Sequence, residues 1–399
     1  MERLKRAVIR IAAAPDSRIS DLPLLHRSFL LSFLSFASSL YRLSLSLRRR
    51  LYLSGLIRRQ RLPVPVISVG NVTWGGTGKT PMVEYIARFL DDSGVSSLIL
   101  TRGYAGGDEA KMLQRHLLQT SARIGIGANR TATAASIFDK YGYTDPRGIL
   151  KADRILPESK FVFRHQNEKV GVAILDDGMQ HWSLLRDVEI VMLNSLTPWG
   201  NTYLIPRGPL REPLSALGRA DIIVLHNADM VSAMQLKVIE STVRNICATL
   251  PIFFSRLVPS HLFGVTNPRL RLPLSLLKDV AVLCVSAIGS PEAFSQAVRE
   301  IGPLHVDRLA FIDHHFIQSN DVQLIREKVR ELATQYNCET VIVVTEKDYD
   351  RDPNIFKEMD DLKVWVLCSS MQMMPLEAQK EEDFRRKVKE LLVRRQNRA

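Results

Sequence analysis

The sequence predicts an α/β protein of two lobes with mainly parallel sheets, a nucleotide-binding loop in the first lobe and a membrane-docking helix ahead of it. Three observations predict this. From Leu62 onward, short apolar runs alternate with helix-length amphipathic stretches, the pattern of βα units whose strands lie parallel. The alternation begins afresh near residue 250, so there are two series. The chain has 399 residues, more than the about 250–300 that one hydrophobic core serves.

Residues 1–61 are read as a basic amphipathic docking or targeting segment. Residues 1–60 carry twelve basic and three acidic residues, so nine of the twelve net positive charges of the chain sit in its head. In "RSFLLSFLSFASSLYRLSLSLRRRLY" the polar residues Ser28, Ser32, Ser35, Ser39, Arg42, Ser46 and Arg49 recur at steps of three and four, one stripe of a helix. Phe29, Leu30, Phe33, Leu34, Phe36, Leu40, Leu43 and Leu47 cover the wide remaining face. Arg42 and the serines break the run that a membrane span needs. The stretch therefore reads as a helix lying in a membrane interface, with Arg48–Arg50 near anionic headgroups. A helix packed on the protein's own core and a targeting peptide rich in Arg and Ser are the competing readings. Nucleic acid is not an expected partner, because the aromatics sit on the apolar face and do not interleave with the basic residues.

Residues 62–250 form the first α/β series, with strands expected at 64–69, 96–101, 122–127, 172–177, 188–193 and 220–225. In the helix after the first strand, Val83, Ile86, Ala87 and Leu90 share a face. Residues 251–375 form the second series, with strands in PIFFSRLV, VAVLCVSAIG, HVDRLAFI, ETVIVVTEKD and KVWVLCSS. Residues 376–399 read as a charged helix with Phe384, Val388 and Leu391 or Leu392 on one side. The four cysteines are widely spaced and form no C-x-x-C pair, which argues against a zinc ribbon or disulfide scaffold and fits a reducing compartment.

"TWGGTGKT", residues 73–80, follows the first strand and precedes a helix, the setting a phosphate-binding loop requires. Thr73 stands where the pattern has its first glycine, at the loop's entry, where a side chain is tolerable if φ is negative. The main-chain N–H groups of Gly75, Gly76, Thr77, Gly78 and Lys79 would wrap phosphate, Lys79 would reach the outer oxygens, and the Thr80 hydroxyl would ligate Mg²⁺. Pro81 is tolerated in the first helical turn, where its missing N–H has no intrahelical partner. "VAILDDGMQH" ends a buried strand in Asp176 and Asp177, acids placed to help hold that metal. Arg102, Asp108 and Glu109 lie in a Gly-rich loop after the second strand. Arg207, Arg211 and Glu212 precede a helix, and Asp313, His314 and His315 end a strand of the second series. Each has a plain structural reading as well, as a surface loop, a helix start or a partly buried histidine pair. A metal site from Asp313, His314 and His315 is disfavoured because neighbours on a strand point to opposite faces.

Taken together and in order, "RLPVPVISVGNVTWGGTGKTP", "RGYAGGDE", "ILDDGMQHWSLLRDVEIV", "PRGPLREPLSALGRAD", "DHH" and "TEKD" resemble the tetraacyldisaccharide 4'-kinase family over roughly residues 22–370. The resemblance implies ATP and Mg²⁺ as cofactors. It also implies phosphoryl transfer to the 4'-hydroxyl of a tetraacylated glucosamine disaccharide 1-phosphate, between two α/β lobes and beside a helix docked on the membrane. Thr73 is then a family feature. Matched motif by motif, Thr73, Trp74 and Gly75 through Thr80 bind nucleotide, as does Glu212. Thr80, Asp176 and Asp177 hold metal. Asp108 is the general base, His314 its partner from the second lobe, and Lys79 and Asp177 assist the transfer. Arg102, Glu109 and Arg211 meet substrate. A monomer is expected, mitochondrial if eukaryotic and otherwise on the cytoplasmic face of a bacterial inner membrane. The short loop before Asp108, and Ala110 where proline commonly follows "GDE", make the position of Asp108 decisive. The alternative is a membrane-tethered P-loop NTPase switch without lipid chemistry. Against it stand the missing N-K-x-D motif and Trp74, where a second lysine would mark septum-site ATPases.

Overall fold

The computed structural model describes residues 24–103, 107–151, 169–375 and 380–394. The basic residues Arg3 through Arg18, and Tyr104–Gly106 of the Gly-rich loop, lie outside the described residues, as do the side chains of Arg27, Ser28 and Phe29. After helix α1 (Leu24–Leu53) come β1 (Val66–Gly70), α2 (Lys79–Asp92), β2 (Ser97–Thr101), α3 (Asp108–His116), β3 (Arg123–Ile126), α4 (Arg130–Tyr141), β4 (Val172–Asp176), β5 (Val188–Asn194) and β6 (Ile222–His226). Next are α5 (Ala233–Ile246), β7 (Ile252–Gly264), β8 (Asn267–Leu272), β9 (Ala281–Ser286), α6 (Pro291–Ile301), β10 (His305–Ala310), α7 (Ser319–Tyr336), β11 (Thr340–Thr345), α8 (Glu346–Arg351), β12 (Val364–Met374) and α9 (Glu381–Arg394).

The two expected series share one 12-stranded sheet, ordered β10-β9-β11-β12-β7-β6-β5-β1-β4-β2-β3, with β8 beside β7. The boundary expected at residue 250 falls between β6 and β7, which are hydrogen-bonded neighbours, and the connection there is helix α5. All pairings are parallel except β7 with β12 and with β8. The antiparallel β7–β12 pair reverses the sense of the second half. Carboxyl ends of both halves nevertheless meet, since Asn194 at the end of β5 bonds Ser290 beyond β9 at 2.9 Å. The sheet therefore folds back along its longest pair, where β7 carries a bulge with Ser260 as the extra residue opposite the Cys368–Ser369 step.

Period-two alternation sets the layers. Ile67, Val69, Val172 and Ile174 face one core with α2, whereas Val66, Ala173 and Leu175 face another with Ala134 and Phe138 of α4. Leu283 and Val285 pack toward α7, Val282 and Cys284 toward α6. The expected face of α2 is fully buried at Val83, Ile86, Ala87 and Leu90. The chain's end returns to the first half: Phe384, Val388 and Leu392 of α9 are buried beside Met82, Ile86 and Phe253. Each such side chain contributes on the order of 2 kcal/mol by burial.

Helix α1 packs along one face on the protein, the competing reading of a core-packed helix. By length and composition Leu30–Leu53 could cross a membrane, yet one face is docked on the protein. That face takes Leu34 from the wide apolar side together with Ser38, Tyr41 and Leu45, which the periodicity did not single out. Leu34 and Ser38 are buried and Tyr41 and Leu45 pack on the first half. Ser38 donates to the Leu204 carbonyl at 2.8 Å and Tyr41 to the Arg211 carbonyl at 2.9 Å. Arg48, expected near headgroups, donates instead to the Gln180 carbonyl at 3.0 Å. The row Phe33, Phe36, Leu40, Leu43 and Leu47 remains exposed, each residue 53% or more.

Candidate active site

The phosphate loop is shaped by neighbours on every side. Thr73 forms an isolated bridge with Leu210 and lies outside the positive-φ residues, as the missing first glycine requires. The Trp74 N–H donates to the Pro209 carbonyl at 2.9 Å, and the indole is 41% exposed. Asn71 Nδ2 donates to Thr77 Oγ1, and Asn194 Nδ2 to the Gly76 carbonyl, both at 3.1 Å. Gly78 caps α2 with φ 78°, and a Cβ there would come within 2.6 Å of the buried His226 ring. Only glycine fits both the dihedral and the space. A Cβ on Gly289 would stand 2.1 Å from the Gly76 nitrogen, so a second-half turn presses directly on the loop.

Lys79 opens α2, and its Nζ lies 3.9 Å from Asp177 Oδ1. Asp177 has φ 52° at the end of β4, and Arg211 Nη1 donates to both its carboxylate oxygens at 2.9 Å. Burial pushes the Asp177 carboxyl up, but Lys79 and Arg211 outweigh it and hold the pKa below the ordinary value. Asp176 behaves oppositely. It is buried with Oδ1 lacking a hydrogen-bond partner, and burial, then the charges of Glu109 and Asp177, push its pKa up. An orphaned buried carboxylate oxygen is what a divalent cation would satisfy. Among the described residues no group of three His, Cys, Asp or Glu could cage a cation alone. Two carboxylates and the Thr80 hydroxyl suit magnesium, which takes one or two carboxylates and completes its shell with phosphate and water.

Asp108 and Glu109 are the first residues of α3, not loop residues as the sequence suggested. Glycine 107 in the left-handed region turns the chain into the helix and leaves Asp108 fully buried. Arg351 of the second half donates to Asp108 Oδ2 at 3.0 Å, and His314 Nδ1 lies 3.6 Å from the same oxygen. Burial raises the Asp108 pKa, but His314, Lys347, Arg351 and the Glu109 N–H together bring it below the ordinary value. Glu109 faces Lys347 at 3.2 Å. β10 ends at Ala310, so Asp313, His314 and His315 lie beyond the strand in a turn, where His314 has φ 63°. His315 instead meets Asp321 at 2.7 Å and stacks on Phe311.

Two expected residues remain, Glu212 and Arg102. The Glu212 carboxylate has an ion pair with Arg219 at 3.4 Å. Arg102 is exposed; its charge, after burial and those of Arg130, Arg186 and Arg48, helps hold the His181 pKa down at about 4. Sequence reasoning missed Asn71, Asn194 and His226, although each ends or directly follows a strand, where ligands bind in such sheets. It also missed Arg130, which donates to the Asp176 carbonyl at 3.1 Å. Arg351 carried no signal, since its role depends on a partner 243 positions away.

Helices α3 and α8 clasp the halves behind the site. Each begins with acids and ends with bases. Asp108 meets Arg351, while Arg115 meets Glu346 at 2.9 Å and Asp350 at 2.8 Å. His116 bridges Glu84 at 2.7 Å and Glu346 at 2.6 Å. Burial pulls the His116 pKa down, but the two carboxylates outweigh it and raise it to about 9.

The comparisons agree with this architecture. The family model described as tetraacyldisaccharide-1-P 4'-kinase matches residues 30–391. The chain is similar to a probable mitochondrial tetraacyldisaccharide 4'-kinase of Arabidopsis thaliana, 52% identical over 94% of both chains. It is similar to the tetraacyldisaccharide 4'-kinase of Syntrophus aciditrophicus, 36% identical over 78% of this chain and 81% of the relative. In fold it resembles the crystal structure of LpxK from Aquifex aeolicus in complex with ATP, with a TM-score of 0.57 at 22% identity, covering 91% of this chain and 99% of that one. The chain belongs to the tetraacyldisaccharide-1-P 4'-kinase family.

Proposed function

We propose that this protein is an ATP-dependent lipid kinase that phosphorylates the 4'-hydroxyl of a tetraacylated glucosamine disaccharide 1-phosphate. The observation that carries the reading is a second-half histidine, His314, 3.6 Å from the buried first-half carboxylate of Asp108, while the second-half Ser290 touches the phosphate loop at the Gly76 carbonyl. Glu109 links the two places, because its charge acts on Asp176 while its side chain pairs with Lys347.

In this reading the N–H groups of Gly75 to Lys79 hold the nucleotide phosphates and Lys79 neutralises the outer oxygens. Thr80, Asp176 and Asp177 would hold magnesium, which when bound screens the charge shared by the β- and γ-phosphates. Asp108 accepts the proton of the acceptor hydroxyl as the new O–P bond forms. The bond between the γ-phosphorus and the bridging oxygen breaks, and ADP leaves with that electron pair. His314, in reach of hydrogen bonding after a small closure from 3.6 Å, steadies Asp108 only when the halves approach, which limits transfer to water. Arg211 and Arg102 are assigned to the anionic substrate. One copy of the chain carries the whole site.

The exposed row of α1 suits an acceptor whose acyl chains stay in a bilayer. The name of the Arabidopsis relative assigns that protein to mitochondria, and we assign this chain the same address. Transfer of ³²P from γ-labelled ATP to purified tetraacyl disaccharide 1-phosphate, resolved by thin-layer chromatography, tests the reading. Labelled lipid is expected. ATP hydrolysis without labelled lipid would overturn it in favour of a switch.

A further inference from the structure

Among the described residues, every group seen to hold Asp108 from outside its own helix comes from the second half. Arg351 ends α8, and its side chain is as buried as the carboxylate it meets, 2% and 1% exposed. Its Nη2 and Nε donate to Asp108 Oδ2 at 3.0 and 3.2 Å. Its Nη1 donates to Asp348 Oδ1 at 2.8 Å and to the carbonyls of His315 at 3.1 Å and Ala287 at 3.4 Å. The Ala287 carbonyl also accepts the His314 N–H at 3.1 Å. From Ala287 the chain turns to Ser290, whose hydroxyl donates to the Gly76 carbonyl at 3.3 Å. One guanidinium thus joins the first turn of α3, the turn bearing His314 and the turn that abuts the phosphate loop.

We propose that Arg351 is a positioning residue for phosphoryl transfer: it holds Asp108 ionised opposite His314. The proposal rests on the reading of Asp108 as proton acceptor given above. A buried carboxylate without a cation takes up a proton, and the protonated acid cannot receive one from a hydroxyl. Arginine suits the place because its planar fork serves four acceptors at fixed angles, whereas an ammonium is compact and presents three donors. The charged groups around Asp108 are Glu109 on α3, Asp313 and His314 on the facing turn, and Lys347, Asp348 and Arg351 on α8. Lys347 is shared between Glu109 at 3.2 Å and Asp313 at 4.0 Å, so Arg351 is the cation in direct contact. Without it, Asp108 keeps its burial and loses the cation bonded directly to its carboxylate.

The test compares full-length wild-type protein with Arg351→Lys, Arg351→Met, Asp108→Asn and the Arg351→Met/Asp108→Asn pair, using ATP and the lipid acceptor. The acidic limb of the kcat/KM profile should move to higher pH in Arg351→Met, by about one unit, and less in Arg351→Lys, which keeps the charge. The value of kcat should fall about 100-fold in Arg351→Met and about 10-fold in Arg351→Lys, with KM for ATP within about twofold. Adding Arg351→Met to Asp108→Asn should cost nothing further, because the arginine acts through the carboxylate. A folded Arg351→Met with the wild-type acidic limb, or losses that multiply in the double variant, would overturn the proposal. If Arg351→Met does not fold, an unchanged kcat and acidic limb in Arg351→Lys overturns it equally. Full activity of Asp108→Asn would remove the proton-acceptor reading itself; inactivity of Asp108→Asn with an unmoved limb in the arginine variants removes only the role of Arg351.

Discussion

The phosphate loop and the seam between the halves are built on opposite plans. In the loop, residues 73–80 are contiguous, and most of the groups we assign to phosphate are main-chain N–H groups. At the seam, Asp108 finds Arg351 across 243 positions and His314 across 206, and side chains supply the charges. The electrostatics differ accordingly. The loop offers N–H dipoles and one half-buried lysine, whereas the seam balances buried ions that are costly unless all are paired. A locally encoded site is therefore sensitive to a single backbone position, and an assembled one to loss of any charge in its network.

Four changes would break or sharpen this contrast. Lys79→Ala should abolish transfer by about 10³-fold or more, about 4 kcal/mol of transition-state stabilisation, with an unchanged melting temperature; residual activity near wild type would end the assignment of the loop. Gly78→Ala should cost about 2–4 kcal/mol of stability, since it meets both a φ of 78° and the His226 ring. Replacing His226 with alanine should recover only part of that loss in thermal melts, because the dihedral remains.

His116→Gln should destabilise the clasp by about 2 kcal/mol in a pH-dependent way. The folded pKa of His116, about 9, exceeds its unfolded value, so its contribution is whole below about pH 6.5 and fades as pH rises through 9. Burial raises the Glu346 pKa but His116 and Arg115 bring it below the ordinary value, so its part is lost as pH falls below about 4.5. The melting difference between wild type and variant should thus be greatest between about pH 4.5 and 6.5 and shrink toward pH 9. A difference that grows toward pH 9 would contradict the charged bridge. The smallest effect belongs to α1. Phe36→Ser on the exposed row should leave melting unchanged and weaken flotation with anionic vesicles about fivefold, near 1 kcal/mol; undiminished flotation would show that this row does not meet lipid.

Strand positions were legible because apolar runs bounded by turns need no partner to be recognised. All eleven expected strands occur; β8, polar and exposed in "NPRLRL", gave no such signal. The sequence does not say that both series join one sheet, because pairing partners are set by register between distant segments. The face of α1 that docks was hidden for a related reason. Ser38 and Tyr41 are polar, and only the carbonyls of Leu204 and Arg211 make them the buried side.

By itself the sequence determined the α/β alternation, the phosphate loop with its tolerated Thr73, and the paired acids ending β4. Each is carried by neighbours in the chain, through periodicity or main-chain geometry. Only the tertiary structure decided that Asp177 is shared by Lys79 and Arg211, that Asp176 keeps an unpartnered oxygen, and that Asp108 is fastened by Arg351. Those are facts of burial and of charge at a distance, and both come into being when the sheet folds the two halves together.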